Sequence, residues 1–348
     1  EFSSSAMMLS QWKEISHLLH PKRLTSCGQI FYIHCNCITF FLLLSSFVVT
    51  STTYFGTPIA CEQSKASIRE EVVDNYCWTE GTYSVAKAHR KDYDSIYPGV
   101  AHSSKDDEKI YYSYYQWVPF ILAIQAVLFA LPSYIWSFWE SGKIQSGHTW
   151  ARSSRQKEKT RFVLREQNLE FWAARYLFCE AMCLVNILVQ VVLLDRLFAG
   201  MFYEYGIEVI HWVMVAYSDR HDPMIYLFPR LTKCQYMVSG PGGNLMNLEA
   251  LCVLPINIIN EKVFVLMWIF FVLIGVLLFF LVIYRMCLIA FLSLRTFVMS
   301  FYCPREDRVA TKLKTLSFGQ WFYLYILRQS VQPHELRKLI LEEDVCKA

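Results

Sequence analysis

Long stretches without a charged side chain are the feature that most constrains this chain. No Asp, Glu, Lys or Arg occurs between Gln29 and Cys61, from Ile110 to Trp139, or from Val263 to Tyr284. A helix that crosses a bilayer needs ~20 consecutive apolar residues, and each block is long enough to supply them. Helices buried in soluble proteins seldom run this far without a charge. The three blocks therefore predict three membrane-spanning helices.

A fourth apolar stretch needs its flanks to reach the same length. Ala181 to Leu194 contains 14 uncharged residues, which alone fits a buried core helix as well as a span. Extending it from Phe171 to Phe198 gives sufficient length and places Glu180 inside the span. A fourth span also lets both termini share one side of the membrane. We therefore expect an all-α membrane protein built on a bundle of four transmembrane helices.

These blocks divide the whole chain into alternating spans and connecting segments. The predicted segments are an N-terminal segment 1–28, a first span 29–50, a loop 51–114, a second span 115–139, a loop 140–170, a third span 171–199, a loop 200–261, a fourth span 262–293 and a C-terminal helical region 294–348. The first span exceeds the ~7–15 apolar residues of a signal peptide, so we expect it to be retained. Residues 1–6 precede Met7 and Met8 and are interpreted as non-native or upstream sequence.

The loop charges set the expected orientation. Segment 140–170 carries seven basic and four acidic residues, segment 294–348 carries nine and six, and segment 1–28 carries three and two. The other two loops are acidic, with seven basic against ten acidic residues in 51–114 and three against six in 200–261. Basic segments stay cytoplasmic, and the rule is strongest for short loops such as 140–170. We expect both termini and this loop in the cytoplasm, and the two acidic loops outside the cell.

The string Tyr114-Tyr115-Gln116-Trp117-Val118-Pro119 marks the border between the first acidic loop and the second span. Amphipathic aromatic side chains at such a border are typical of the aromatic belt at the lipid headgroups. Pro119 lies where the first turn of a helix tolerates proline. From its residue types and position alone, the string predicts the outer border of the membrane and the start of a helix.

Four of the twelve cysteines lie in the predicted extracellular loops. Cys61 and Cys77 belong to the first loop, and Cys234 and Cys252 belong to the second. An even number of cysteines in an oxidising compartment predicts two disulfides, and four cysteines allow three pairings. The other cysteines lie in membrane or cytoplasmic segments, where thiols usually stay reduced.

Several strings resemble the innexins, the invertebrate gap-junction subunits. The resemblance covers roughly Trp12 to Leu341, including both loops and all four spans, and two cysteines per loop separate it from the connexins. Neither loop has an N-glycosylation sequon, unlike the pannexins, so the outer face is able to approach another membrane closely. Besides the hexapeptide at 114–119, the strings that carry the resemblance are Tyr76-Cys77-Trp78, Gly81-Thr82-Tyr83, Phe228-Pro229-Arg230, Thr232-Lys233-Cys234, Ala250-Leu251-Cys252-Val253-Leu254-Pro255 and Asn257-Ile258-Ile259-Asn260-Glu261-Lys262.

The resemblance implies further structure. It pairs Cys61 with Cys252 and Cys77 with Cys234, whereas the alternative is that each loop closes on itself. It implies eight subunits per hemichannel, a short β-sheet in the disulfide-braced outer domain and a cytoplasmic helical cap that contains Phe318 to Phe322. It also places the N-terminal segment in the pore as a funnel with Trp12 as its apolar anchor. The alternative for that segment is an amphipathic helix lying on the inner leaflet.

Other chemically suggestive residues have simpler interpretations. In His34-Cys35-Asn36-Cys37, helical spacing turns Cys35 away from His34 and Cys37, so we expect no metal site and interpret these residues as small packing groups. Glu180 is an intramembrane polar group, for which a structural contact is favoured over lining the conduit. Pro132 is expected to kink the second span. The acidic residues Asp92, Asp94, Asp106, Asp107 and Glu108 lack the spacing of a calcium-binding EF-hand.

The chain is therefore interpreted as a channel subunit. No catalytic or nucleotide-binding motif occurs in the sequence, so neither enzyme activity nor a cofactor is expected. The resemblance implies that hemichannels in the plasma membrane dock between neighbouring cells and pass ions and small metabolites. The expected partners are identical or other innexin subunits, an opposing hemichannel and membrane lipid, with no nucleic acid. The alternatives are a non-junctional hemichannel and a tetraspan adhesion or scaffold protein.

Overall fold

A computed structural model describes residues 28–62, 69–89, 97–102, 107–140, 168–214, 222–239, 242–302, 307–329 and 331–341. Four long apolar helices dominate these residues. They are α1 at Gln29–Phe55, α3 at Val118–Glu140, α4 at Leu169–Leu197 and α7 at Pro255–Ala290. All four are long and apolar enough to cross a membrane. The prediction of a mostly helical chain with four such helices, disulfides and a small sheet is confirmed.

The remaining elements occupy the loops and the C-terminal region. The shorter helices are α2 at Glu70–Glu80, α5 at Phe202–Met214, α6 at Met224–Leu227, α8 at Leu292–Ser300, α9 at Asp307–Thr315, α10 at Phe318–Leu327 and α11 at Pro333–Leu341. The strands are β1 at Ala60–Glu62, β2 at Thr82–Val85, β3 at Lys109–Tyr112, β4 at Leu231–Ser239 and β5 at Leu245–Val253. The loop between α1 and α3 therefore contributes strands β1 to β3, and the loop between α4 and α7 contributes β4 and β5.

The helix ends follow local signals in the sequence. Proline is favoured in the first turn of a helix, and α7 begins at Pro255, seven residues before the span expected at 262–293. Helix α2 has Glu70 and Glu71 in its first turn, where acidic groups complement the helix dipole. It ends at Glu80 and is followed by Gly81, whose φ of 94° is open to glycine and strained for other residues. Pro132 lies inside α3, and its kink stays a prediction.

The described residues form two compact units. The first, called the sheet unit, comprises Phe40–Ala126 and Leu188–Val272. The second, called the tail unit, comprises the described parts of 1–39, 127–187 and 273–348. Each of the four long helices contributes residues to both units.

The sheet unit contains one antiparallel sheet of five strands in the order β1-β5-β4-β2-β3. Its longest element is the hairpin of β4 and β5, in which Leu231 pairs with Val253 at one end and Ser239 with Leu245 at the other. Strand β1 pairs with β5 from Leu251 to Val253, and β2 pairs with β4 at Lys233. The sheet is thus built jointly from the segments before α3 and before α7.

The tail unit is held by α10, whose residues from Trp321 to Leu327 are all buried. Ser317 caps the helix by accepting a hydrogen bond from Gln320 N–H, and the Gln320 side chain accepts one from Ser317 N–H. Gly319 lies so close to the backbone of Leu169 and Glu170 that a Cβ there would come within 2.5 Å of it. Aromatic rings of Trp136, Trp172, Tyr176, Phe322 and Tyr323 form the core beside it.

Candidate functional site

Two disulfides join the segment before α3 to the segment before α7. The first links Cys61 of β1 to Cys252 of β5, and these two residues also face each other in the sheet register. The second links Cys77 of α2 to Cys234 of β4. Of the three pairings that the sequence allows, the structure has the one that joins Cys61 to Cys252 and Cys77 to Cys234, so both disulfides cross between the loops.

Helix α2 is fixed to the sheet by a polar contact beside the first disulfide. The backbone N–H of Cys61 donates to Asp74 Oδ1 at 2.7 Å. Burial raises the pKa of Asp74, and the nearby Glu70 and Glu71 add to the shift while the hydrogen bond from Cys61 opposes it. The contact therefore holds the carboxylate where two other acids disfavour its charge.

The hexapeptide at 114–119 connects α2 to the start of α3. Tyr115 is fully buried, its hydroxyl donates to the carbonyl of Cys77 at 3.4 Å, and its ring centroid lies 4.8 Å from that of Trp78. Gln116 Nε2 donates to the carbonyl of Trp78. Pro119 contributes its carbonyl, which accepts from Ser46 Oγ at 2.9 Å. Most residues of the hexapeptide therefore contact other residues of the chain.

Trp117 is 62% exposed, and its place in an aromatic belt stays a prediction, whereas the two tyrosines contact protein. Tyr115 is buried, and Tyr114 donates its hydroxyl to the carbonyl of Leu227 at 2.9 Å. Composition at a membrane border does not distinguish a ring in the headgroups from a ring in a protein core, because both environments suit an amphipathic aromatic. Tyr114 therefore links the two loops, and Tyr115 links the hexapeptide to α2.

An aromatic cluster surrounds Tyr114. Its members are Tyr114, Phe198, Phe202, Tyr205, Phe228 and Phe264, and neighbouring ring centroids lie between 5.1 and 6.4 Å apart. Most of these pairs are edge-to-face, the arrangement that aromatic quadrupoles favour. The cluster joins the segment just before α3, the residue after α4, helix α5, the segment before β4 and the first turns of α7 in one apolar core.

A polar network lies where the chain enters β4. Arg230 donates to both oxygens of Glu261 at 2.9 to 3.0 Å and to Asp222 at 2.9 Å. Asn257 Nδ2 donates to the carbonyl of Pro229 at 2.8 Å, and Tyr205 donates to the carbonyl of Glu261 at 3.0 Å. Two strings quoted for the family resemblance, 228–230 and 257–262, therefore contact each other directly.

A second polar group lies on the sheet itself. Glu249 accepts from Tyr83 Oη and from Lys233 Nζ, both at 2.9 Å. Burial works against the charged carboxylate, but the hydrogen bonds from Lys233 and Tyr83 outweigh it and lower the pKa of Glu249. Lys109 Nζ lies 4.4 Å from the centroid of the Tyr83 ring. These contacts tie β2, β4 and β5 together across one face.

The far half of the β4–β5 hairpin extends past the other described strands. Beyond Lys233 in β4 and before Leu251 in β5, the two strands pair only with each other among the described residues. Apolar side chains are exposed there, with Leu245 at 73%, Met237 at 61% and Met246 at 46%. Exposed strand edges with apolar side chains are a template for pairing with another chain.

Comparison with known proteins identifies the family of this chain. A sequence model of the innexin family matches residues 28–342. The chain belongs to the innexin family. It is 33% identical to innexin shaking-B of Drosophila melanogaster over 96% of this chain and 93% of that protein. It is 34% identical to innexin inx1 of Schistocerca americana, covering 87% of this chain and 88% of that one.

In this innexin, Glu180 of α4 has a partner on another helix. Arg285 of α7 donates to both carboxylate oxygens, from Nε at 2.7 Å and from Nη2 at 2.8 Å. Both side chains are buried, and the Arg285 guanidinium also lies 5.3 Å from the ring centroid of Phe322 and 5.2 Å from that of Tyr325 in α10. The interpretation of Glu180 as a structural polar contact describes this geometry.

Sequence reasoning missed Arg285, although a signal was present. Arg285 directly follows the uncharged block that ends at Tyr284, inside the predicted fourth span. An intramembrane cation and an intramembrane anion usually pair with each other.

Trp12, the predicted funnel anchor, lies outside the described residues, as does nearly all of the loop 140–170.

Proposed function

We propose that this innexin is a subunit of a gap-junction channel in the plasma membrane, in which hemichannels of adjacent cells dock and pass ions and small metabolites. Innexins are gap-junction channel subunits, and family membership extends over nearly the whole chain. The observation that carries the proposal is the sheet built from both loops and cross-linked by two disulfides. Innexins are channel proteins rather than enzymes, in keeping with a function that needs no bound cofactor.

The orientation follows from loop charge. The basic segments 1–28, 140–170 and 294–348 face the cytoplasm, and the loops that contain the sheet face outward. The sheet, its disulfides and the aromatic cluster are then extracellular, where an oxidising environment maintains the disulfides. The C-terminal helices α8–α11 are cytoplasmic.

Assembly into a ring supplies the conduit. Four helices in one subunit are too few to enclose a wide aqueous path, whereas heterologous contacts between identical subunits close into a ring. Apolar side chains line the outer surface of α3, including Phe120, Ile124, Val127 and Phe138, and suit contact with lipid or a neighbouring subunit. Eight subunits, alone or with other innexins, form the hemichannel in this proposal.

Docking uses the exposed half of the β4–β5 hairpin. Among the described residues, its outer strand edges are unpaired beyond Lys233 in β4 and before Leu251 in β5, so an opposing hairpin is able to add main-chain hydrogen bonds. The disulfides limit the freedom of this hairpin before it meets its partner. Pre-organisation of this kind lowers the entropic cost of association.

The proposal is tested by measuring junctional conductance between paired cells that each express only this chain. A junctional current supports the gap-junction function. Large single-membrane currents without coupling, at normal surface delivery, favour a non-junctional hemichannel instead. An absence of current in both arrangements favours a scaffold, or a subunit that needs a second innexin.

The docking element is tested by adding charge to the hairpin. Met237→Lys combined with Leu245→Lys should abolish coupling while single-membrane currents remain, because two like charges then face their copies across the junction. Met214→Lys is the matched control, since this methionine is 81% exposed but lies in α5. Equal coupling in the hairpin variant and the control would exclude the hairpin as the docking element.

A further inference from the structure

A cluster of metal-ligating side chains lies in the tail unit, away from the disulfides. His34 and Cys35 of α1 and Cys183 of α4 are all buried, and one ligand atom from each lies within 4.8 Å of the other two. His34 Nδ1 is 3.5 Å from Cys35 Sγ, and Cys35 Sγ is 3.9 Å from Cys183 Sγ. Nothing in the channel function uses these groups.

The distances match the geometry of a metal centre. Zinc binds thiolate sulfur at ~2.3 Å and imidazole nitrogen at ~2.0–2.1 Å in a tetrahedral arrangement. Two sulfurs on one zinc are then about 3.8 Å apart, and a sulfur and a nitrogen about 3.6 Å apart. The observed separations of 3.9 Å between the two sulfurs and 3.5 Å between His34 Nδ1 and Cys35 Sγ match these values, and a ring nitrogen of His34 lies within 4.8 Å of both sulfurs.

Local backbone geometry brings the two α1 residues inward together. Residues Ile33–Ile38 form a π-helical segment within α1, and such segments occur frequently at functional sites. His34 and Cys35 are both buried, whereas Cys37 is exposed. The expectation that His34 and Cys37 share a face away from Cys35 assumed an uninterrupted α-helix and considered only ligands within one helix. The structure pairs His34 and Cys35 with a third ligand from α4.

Burial and charge favour an ion of a particular kind. Thiolate sulfur and imidazole nitrogen select thiophilic metals such as zinc and Cu⁺ over magnesium or calcium. Two thiolates and a neutral imidazole around Zn²⁺ have no net charge, which suits a buried site. His34 Nε2 is buried without a hydrogen-bond partner among the described residues, so the imidazole has no competing polar contact beyond Cys35.

We propose that His34, Cys35 and Cys183 form a binding site for a thiophilic metal ion, Zn²⁺ or Cu⁺, that joins α1 to α4. Binding of Zn²⁺ displaces one proton from each of the two thiols and leaves the imidazole neutral. Cys179 lies four residues before Cys183 on the same helix face and is buried. Zinc, which favours four ligands, is able to recruit it, whereas Cu⁺ accepts the three-ligand set.

The site is tested on the full-length protein purified in detergent without reductant, so that the outer disulfides stay intact. Samples are loaded separately with Zn²⁺ and with Cu⁺, passed through a weak chelator, and analysed for metal per subunit. We expect about one ion per wild-type subunit and at least a tenfold loss in Cys35→Ser and Cys183→Ser. Cys37→Ser is the matched control and should keep the ion. Cys179→Ser should weaken zinc binding and leave Cu⁺ binding unchanged.

A second measurement on the wild-type protein covers the case in which a variant fails to fold. Mass spectrometry after thiol alkylation should show that the metal protects Cys35 and Cys183 and leaves Cys37 reactive. Cobalt should also give a thiolate-to-metal absorption band that Cys183→Ser lacks. Equal metal content in wild type and Cys35→Ser, alkylation unaffected by metal, or a Cys35–Cys183 disulfide in the purified protein would overturn the proposal.

Discussion

The sheet unit and the tail unit both join segments that are far apart in sequence, but they do so by different chemistry. In the sheet unit, disulfides bridge 191 and 157 residues, and hydrogen bonds from Arg230 and Tyr115 fix their surroundings. In the tail unit, a buried ion pair connects Glu180 to Arg285, and aromatic rings of α10 cover the guanidinium. The sheet unit adds covalent links to its polar and aromatic contacts, whereas the described part of the tail unit relies on polar and aromatic contacts alone.

This difference follows from the environments proposed for the two units. Disulfides persist in the oxidising extracellular space and are rare in the cytosol. A disulfide stabilises mainly by restricting the unfolded chain, so it suits an outer domain that must hold its shape against an opposing cell. A buried ion pair contributes little net stability, but loss of one partner leaves an uncompensated charge. The two units should therefore respond differently to the removal of a single group.

The largest effect is expected from removing the second disulfide. Because Cys61–Cys252 remains closed, Cys77→Ser combined with Cys234→Ser frees a loop of about 35 residues in the unfolded chain, which costs about 4 kcal/mol on a chain-entropy estimate. The thermal midpoint of the purified protein should fall sharply, and coupling between cells should be lost. The control is Cys37→Ser, an exposed free cysteine in α1. A midpoint equal to that of the control would mean that packing alone holds α2 on β4.

The next largest effect is expected in the tail unit. Glu180→Gln removes the charge that compensates Arg285, and breaking a buried pair from one side costs about 3 kcal/mol or more. Combining it with Arg285→Met removes the stranded cation and should restore most of the lost stability. Thermal unfolding in detergent measures both, with the exposed Glu208→Gln as the control. A double variant no more stable than Glu180→Gln would show that the aromatic contacts of Arg285 matter more than its charge.

A smaller effect is expected where α5 packs on α7 in the sheet unit. A Cβ on Gly206 would overlap the ring of Trp268, so Gly206→Ala must displace a large side chain. Overpacking of this kind costs about 1–3 kcal/mol, partly offset by the better helix propensity of alanine. Gly242→Ala meets no atom within 4 Å and is the control for thermal unfolding. Equal midpoints would indicate that Trp268 has room to move.

The smallest effect is a pH dependence confined to the sheet unit. Burial lowers the pKa of His89, whose Nε2 is 2.8 Å from Ser84 Oγ. Because the unfolded chain takes up the proton more readily, this contribution to stability is present above the unfolded pKa of about 6.5. It is lost as the pH falls from there through the folded pKa. His89→Gln should flatten the fall in thermal midpoint below that pH, whereas the exposed His102→Gln should not.

Much of the fold was accessible from the sequence because a membrane imposes simple rules. The uncharged blocks around Phe31, Phe129 and Phe271 marked three helices, and the family resemblance to innexins is confirmed. Helix bounds were less predictable, since α7 begins at Pro255 on local signals that precede the apolar block. The contacts of Tyr115 and the partner of Glu180 depend on tertiary packing, which composition does not specify. Likewise, no pattern within α1 indicated that Cys183 would meet His34 and Cys35.

The central claim is that the disulfide-linked sheet docks one hemichannel to another. The most direct test is to treat cells expressing only this chain with a membrane-impermeant reductant before pairing them, and then to measure junctional conductance. We expect no coupling, with surface delivery unchanged and with mass spectrometry showing Cys61, Cys77, Cys234 and Cys252 reduced. Coupling equal to that of untreated pairs, with those four cysteines reduced, would contradict the claim.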